Sequence, residues 1–528
     1  MNTTEFSKRY KVFIPTAGIG SRLNNLTKYL NKSLVSIQNK PIISKIIDMF
    51  PQETEFVIGL GYKGELVKDF LQLAYPEKTF YFATVDKYEG EESGLGLTMF
   101  TCENFLKEPF VFCSCDTLVK ETIPYPSKNI LGFAERGNKR EYRTIEIKNN
   151  KVIKFYEKEQ HTITSKPYIG IACIYDWELF WKEMHSNENL AIKLGESYAL
   201  QKFAQNGILH TNKFTWFDTG NEVELEKTKE YFLEENEPNI LTKENEAIWF
   251  VNNKVIKFSN DKNFIKNRVT RSKYLKDYIP TITSYTDNMY CYNKEEGMVL
   301  SQITNIALLK KLLKHSSKFW ETKQLNKEEK KAFYNTCRDF YYKKTIDRIN
   351  LYLKKHQIED SETIINNLKI PTIKELLKLI DWENIFNGLS GQFHGDFHFE
   401  NILYNKSKNK FIFLDWRQGF GNSLTVGDIY YDFAKLLHGF IICHELIAQN
   451  KYDIKINKNI INYTFERKDI LIECENYFYE WLKEQNYDVE KVKILTALIF
   501  LNIAGLHHYP YCHLLYNLGK QMLYEILI

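Results

Sequence analysis

Short apolar runs and amphipathic segments alternate along the first 235 or so residues. Lys11–Pro15 (KVFIP), Glu55–Leu60 (EFVIGL), Thr79–Val85 (TFYFATV) and Pro109–Ser114 (PFVFCS) are brief, rich in β-branched and aromatic residues, and read as strands. Between them, Pro41–Met49 and Tyr62–Ala74 repeat their apolar positions at the period of a helix with one buried face. This alternation predicts an α/β unit, a mostly parallel sheet with helices on both faces. Ligands of such sheets gather at the carboxyl ends of the strands. The loops after Pro15 and after Ser114 are therefore the expected places for chemistry.

The pattern changes at Glu234–Glu246 (EENEPNILTKENE), which is acidic, contains a proline and lacks apolar periodicity, as a linker does. Ala247–Phe258 (AIWFVNNKVIKF) then places two β-rich runs around Asn252-Asn253, a hairpin signal. Strand-like sequence continues to about Ser301, and long helical segments dominate from Asn305. They are interrupted at Ser390–Trp416 by loops and short strands. The expected organisation is an α/β domain over 1–235, a linker over 236–246, a small β-rich lobe over 247–304 and a large helical lobe over 305–528.

Composition narrows the class. Lys plus Arg number 71 and Asp plus Glu 67 among 528 residues, so the net charge of +4 gives no basic face of the kind nucleic acid requires. Aromatic residues make up 15% of the chain, enough apolar area for more than one core. The nine cysteines are scattered without zinc-type spacing and are expected as reduced core residues, which points to the cytoplasm. The polar N-terminus, MNTTEFSKRYKVFIP, does not read as a signal peptide. The longest apolar stretch, Ile494–Leu506, is too short for a bilayer and reads as a buried helix. Small molecules, rather than nucleic acid or membrane, are the expected partners.

Thr16-Ala17-Gly18-Ile19-Gly20-Ser21-Arg22-Leu23 follows the first strand directly. Its glycines let backbone N–H groups close on a phosphate, and Arg22 adds a rigid fork of donors. Alone, the segment is equally a tight strand-to-helix connection; it lacks the third glycine of a dinucleotide fingerprint and the GK[ST] of a P-loop. Together with Asn31-Lys32-Ser33-Leu34 and Asn39-Lys40-Pro41-Ile42, it resembles the nucleotidyltransferase signature of the sugar-phosphate pyrophosphorylase family. That resemblance covers roughly residues 10–233 and implies a Rossmann-like nucleotidyltransferase fold. Ala17, Gly18, Gly20 and Ser21 would then surround the nucleotide phosphates, with Arg22 and Lys32 polarising the triphosphate.

Asp116, in Phe112-Cys113-Ser114-Cys115-Asp116-Thr117, ends an apolar strand and by itself is compatible with a turn or helix cap. The same resemblance implies that it binds Mg²⁺ together with Asp218 of Thr215-Trp216-Phe217-Asp218-Thr219-Gly220-Asn221. Glu157, Lys158 and Gly170 match the family's acceptor segment. Gly94, in Ser93-Gly94-Leu95-Gly96, matches its second glycine segment near the base, although Glu91-Glu92 stand where many relatives carry glutamine. The expected donor is an NTP, CTP or UTP foremost.

A second constellation lies at Gln392–Leu403 (QFHGDFHFENIL), followed by the apolar Phe411–Leu414 and then Asp415-Trp416-Arg417. A His-Gly-Asp with Asn five residues beyond the Asp, then a strand ending in Asp, matches a protein-kinase-like arrangement. It resembles the aminoglycoside phosphotransferase and choline kinase group, implying a two-lobe protein-kinase-like domain that uses ATP and Mg²⁺. Asp396 would accept the hydroxyl proton, and Asn401 and Asp415 would hold the metal. His394 would support the loop, His398 is expected as a packed structural histidine, and Asp428 and Asp432 would brace the catalytic segment. Lys257 is the candidate phosphate-binding lysine, with Lys254 or a plain surface lysine as equal alternatives, and Lys262–Asp277 contains no glutamate to pair with it.

Two motif sets on one chain predict consecutive reactions. A small hydroxylated metabolite, a sugar in the leading reading, is phosphorylated with ATP. An NMP is then joined to that phosphate with release of pyrophosphate, giving an activated precursor for surface polysaccharide. The alternatives are a choline or amino-alcohol kinase coupled to a CTP:phosphocholine-type transfer, and a chain in which one half has become a binding module.

Overall fold

The computed structural model describes residues 10–135, 139–233 and 244–528, so most of the expected linker lies outside the described residues. The chain forms two compact units. The first comprises 1–262 and 283–294, the second 263–282 and 295–528.

The first unit is built on a nine-stranded sheet. Lys11–Pro15 runs parallel between Glu55–Leu60 and Phe110–Cys113, and Phe80–Thr84 adds in parallel beyond Glu55–Leu60. Side chains alternate between two cores: Val12, Ile14, Phe56 and Ile58 face one, while Phe13 and Val57 face the other. A strand buried on both faces must be apolar throughout, which is why these segments read as unbroken runs.

The other half of the sheet departs from the mostly parallel expectation. Lys166–Ile174 lies antiparallel to both Phe110–Cys113 and Ile130–Phe133, and the hairpin Thr144–Lys148/Lys151–Tyr156 forms the far edge. Parallel neighbours need a crossover connection of helical length. Among the described residues, no helix lies between Thr117 and Ile174 to supply one.

Residues 246–293 hold a four-stranded sheet ordered Glu246–Val251, Lys254–Ser259, Met289–Asn293, Ile282–Tyr285. Asn252 and Asn253 both take positive φ at its hairpin, the conformation that Asn tolerates best after glycine. Its apolar face merges with the first unit's core. Trp249 is fully buried, packs edge-on against Phe70 at 5.1 Å and donates Nε1–H to Ser36 Oγ. Phe250 N donates to Asn39 O, and Lys254 Nζ donates to Leu73 O. The compact units thus divide inside the segment expected as a separate small lobe, because its sheet buries its apolar residues on the helix Gly64–Ala74.

The second unit is mostly helical. The apolar Ile494–Leu506 stretch lies mainly in the helix Val489–Ala504, crossed closely by Tyr511–Leu527; a Cβ on Gly519 would stand 2.9 Å from Ala497 O. Strands Met298–Val299, Ile402–Asn405 and Lys410–Phe413 form a small sheet beneath the motif-bearing loops. All nine cysteines are buried and unpaired. Among the described residues, no helix is long and apolar enough to cross a membrane.

Emptying the Trp249 site leaves a large cavity in the first unit's core. Trp249→Ala is expected to cost about 3–5 kcal/mol in a denaturant titration. A loss below about 1 kcal/mol would show that the small sheet is not part of that core.

Candidate active sites

In the first unit, the loop after Lys11–Pro15 is held from two sides. Thr16 N donates to Gly59 O, Tyr62 N donates to Ala17 O, and a Cβ on Gly61 would collide with Ala17 O at 2.7 Å. Asn31 is fully buried and donates Nδ2–H to Thr16 O at 2.8 Å and to Tyr62 O at 2.7 Å, while its Oδ1 accepts from Ser33 N. Gly20 takes φ +72°, and a side chain there would meet Lys32 Cβ at 2.8 Å. Ala17 is buried and Ser21 exposed, and Gly18 is exposed with open space above it.

Asp116 and Asp218 meet through strand pairing. Trp216–Asp218 runs antiparallel to Thr117–Val119 with Asp218 opposite Thr117, and Thr219 donates both N–H and Oγ–H to Asp116 O. A methyl group placed on Gly220 would lie 3.0 Å from Asp218 Oδ1, 3.4 Å from Asp116 Oδ2 and 3.5 Å from an Arg22 guanidinium nitrogen. Two carboxylates and one guanidinium therefore converge on one small volume, and that oxygen set fits a hard divalent cation of the Mg²⁺ type. Lys32 Nζ sits on Asp116 Oδ2 at 2.6 Å, Ser114 Oγ donates to Asp116 Oδ1, and Tyr142 OH donates to Asp218 Oδ2. Burial works against the Asp116 charge, but Lys32, Ser114 and Arg22 outweigh it and hold the carboxyl at about 2.

Lys158 joins this group. Burial, and then the charges of Arg22 and Arg143, push its pKa down. The carboxylates of Asp116 and Glu157 act in the other direction. Glu157 has a supporting place, accepting from Arg143 Nε at 2.9 Å and from Gln201 Nε2. Gly170 takes φ +74° and accepts from Ser114 N, so it shapes the strand end carrying Asp116. Gly94 admits a close packing contact: a Cβ there would strike Ile192 O at 2.4 Å.

The second unit gathers its motif around Asp396. Asp432 is fully buried and accepts from His394 N and Gly395 N, both at 2.6 Å, and from Trp320 Nε1. Burial raises its pKa to about 6 in spite of these donors. His394 is buried, accepts at Nδ1 from Asp396 N, and is kept neutral by that burial, its pKa pushed down to about 3. Asp428 accepts from Leu389 N, Tyr430 N and Tyr341 OH. Asp428 and Asp432 therefore both hold backbone around the Asp396 loop.

Asp396 presents its two oxygens to different neighbours. Oδ1 pairs with Lys435 Nζ at 2.8 Å; Oδ2 accepts from Asn401 Nδ2 at 3.2 Å and lies 3.6 Å from His398 Nε2. Burial opposes its charge, yet Lys435 and His398 hold the carboxyl well below its ordinary range. Asn401 turns its amide nitrogen toward Asp396, and Leu414 N donates to Asn401 O, placing Asp415 beside the loop. Asp415 takes φ +59° and pairs with Arg268 Nη1 at 2.6 Å. Asn401 and Asp415 supply oxygen ligands of the type a hard cation takes.

Three features escaped sequence reasoning. His398, expected as a packed histidine, touches Asp396, Asn401 and Glu400. Lys435 lies one helical turn beyond Asp432 on Ile429–Ile441, a spacing that could have marked it. Arg268 occupies the helix Lys262–Leu275, where a glutamate was sought, and meets Asp415. Lys257 is buried on the strand Lys254–Ser259 and belongs to the first unit.

No family model matches the chain. Among curated proteins, it is 26% identical over 231 residues to the bifunctional protein GlmU of Methanococcus maripaludis, covering 41% of this chain and 53% of the relative. It is 27% identical over 239 residues to GlmU of Methanococcus vannielii, covering 42% and 55%. The chain thus spans about half the length of the curated relatives it matches. Among solved structures, a putative glucose-1-phosphate thymidylyltransferase from Bacillus anthracis aligns with TM-score 0.37 and 19% identity, over 44% of this chain and 98% of that one. The CTP:phosphocholine cytidylyltransferase of Streptococcus pneumoniae aligns with TM-score 0.37 and 15% identity, over 43% and 100%.

Two outcomes follow from this geometry. Asn31→Ala strands two carbonyls in the core and is expected to cost about 1–3 kcal/mol, read by denaturant unfolding. His398 has its charge opposed by burial, but Asp396 and Glu400 raise its pKa to about 9. A free imidazole titrates near ~6.5, so this stabilisation is complete below that pH and lost as pH climbs through 9. The stability gap between the native chain and His398→Gln should therefore narrow from pH 6 to pH 10, and a gap that widens would contradict the assignment.

Proposed function

We propose that the chain is a bifunctional enzyme that phosphorylates a hydroxylated small molecule and then activates the product with a nucleotide. The observation that carries the second step is the convergence of Asp116, Asp218, Arg22 and Lys32 at the end of parallel strands. The likeness to GlmU over 231 residues supports the same reading.

In the nucleotidyl transfer, the glycine loop would cradle the NTP phosphates with its N–H groups. Arg22 and Lys32 would meet the negative charge that grows as the α–β phosphoanhydride bond breaks. Lys158 would hold the phosphate of the acceptor, a sugar phosphate in the leading reading, so that its oxygen attacks the α-phosphorus and pyrophosphate leaves. Asp116 and Asp218 would hold Mg²⁺, which supplies charge neutralisation on the phosphates.

In the phosphotransfer, Asp396 would accept the proton of the acceptor hydroxyl as its oxygen attacks the γ-phosphorus of ATP and ADP departs. Asp432 and the neutral His394 would keep the loop in place, and Asn401 and Asp415 would hold Mg²⁺ for the ATP phosphates. The two reactions in series would yield a nucleotide-activated precursor in the cytoplasm, suited to surface polysaccharide assembly.

A coupled assay tests both halves. The purified chain is given ATP, Mg²⁺ and a panel of acceptors with ADP as readout, then CTP, UTP, GTP or dTTP with pyrophosphate as readout. Asp396→Ala is expected to lower ADP release about 10²–10⁴-fold while sparing pyrophosphate release from a supplied sugar phosphate. Asp116→Ala should do the reverse, and pyrophosphate release that survives it would overturn the nucleotidyltransferase assignment.

A further inference from the structure

The surroundings of Asp396 carry more positive charge than a neutral or cationic acceptor needs. The helix Lys344–His356 presents Lys344, Arg348 and Lys355, which fall within about 40° of one another at 3.6 residues per turn and so form one basic stripe. Lys344 and Arg417 stand over the same ring, Phe340, at 4.3 Å and 4.8 Å from its centroid. Arg417 is pressed against the catalytic loop: its N–H donates to His394 O, and a Cβ on Gly395 would strike its Cβ at 2.5 Å. Lys435 completes the group on Asp396 Oδ1, the oxygen turned away from Asn401.

Anions to match these cations are scarce. Among the described residues, neither Lys344, Arg348 nor Arg417 forms an ion pair, although none of the three is fully exposed. Lys344 is pushed down to about 7 by burial and by Arg417, Lys435 and Arg348, with Asp396 as the carboxylate acting in the other direction. His438, His444 and His507 also lie within electrostatic reach of Lys435. Half-buried cations crowded together without ion-pair partners repel one another, and an anion entering among them removes that repulsion.

We propose that the acceptor phosphorylated at Asp396 carries an anionic group, a carboxylate or a phosphate ester, which Lys344, Arg348 and Arg417 receive while its hydroxyl faces Asp396. This rests on the phosphotransferase reading of the second unit and specifies its substrate class. The hydroxyl gives its proton to Asp396 as its oxygen bonds the γ-phosphorus and the bond to ADP breaks; the anionic group takes no part in that exchange. A quaternary ammonium such as choline would meet like charges in the same place, so the cluster discriminates against it.

The test compares ADP release on hydroxy acids (glycerate, gluconate), sugar phosphates (glucose 6-phosphate), neutral sugars and choline. Turnover confined to anionic acceptors is expected, and the hydroxy-acid and sugar-phosphate arms tell the two sources of charge apart. Lys344→Gln should raise KM for that acceptor at least tenfold while leaving KM for ATP within twofold. Arg348→Gln on the same helix face gives a second reading should Lys344→Gln fold poorly. Equal or better kcat/KM on choline or glucose overturns the proposal and leaves the phosphotransferase standing. So does a rise in KM for ATP alone, which would assign the cations to the nucleotide. Silence on every anionic acceptor in a chain that still binds MgATP also overturns it, whereas loss of MgATP binding itself removes the phosphotransferase reading beneath it.

Discussion

Each unit of this chain solves one electrostatic problem in the same way: a lysine is stored, half-buried, on a single aspartate. Lys32 rests on Asp116 at 2.6 Å, and Lys435 on Asp396 at 2.8 Å. Cations gathered in one place repel one another. The aspartate offsets part of that repulsion and keeps its own charge because the lysine is there. Around each pair stand further cations, Arg22 and Lys158 in one unit and Lys344 and Arg417 in the other.

Everything that shapes the two sites serves to place those aspartates. In the first unit, Asp116 ends a strand whose neighbours are set by the parallel ladder. Asp218 is delivered by a two-stranded pairing that puts it opposite Thr117. In the second, Asp432 spends its carboxylate on the backbone N–H groups of His394 and Gly395, which fixes the turn leading to Asp396. Charge-assisted bonds to backbone in a buried setting are among the stronger ones available, and they replace the regular ladder that loops lack. The candidate site carboxylates are thus held in place by polar contacts with their neighbours.

The local elements were legible in the sequence because periodicity is a local property. Lys11–Pro15 and Glu55–Leu60 appear as strands with the expected bounds, and Asn252-Asn253 turns the hairpin it signals. The glycine loop was legible as well, since Gly20 stands where a side chain would strike Lys32. What escaped was long-range. The antiparallel placing of Lys166–Ile174 within the sheet depends on which strands find each other without a crossover. Likewise, the small sheet's attachment to the first unit depends on Trp249 reaching Phe70 and Ser36.

The sequence by itself determined the order of strands and helices, the two motif sets and the residue types able to bind phosphate and metal, because spacing along a chain dictates face and turn. Tertiary structure decided which charges meet. Arg268 found Asp415 where a glutamate had been sought for a lysine, and His398 came to rest on Asp396. Lys344 met Arg417, which adjoins the Asp396 loop, over the ring of Phe340. Coulombic coupling depends on distance and burial across the folded chain, and neither is written in the order of the residues.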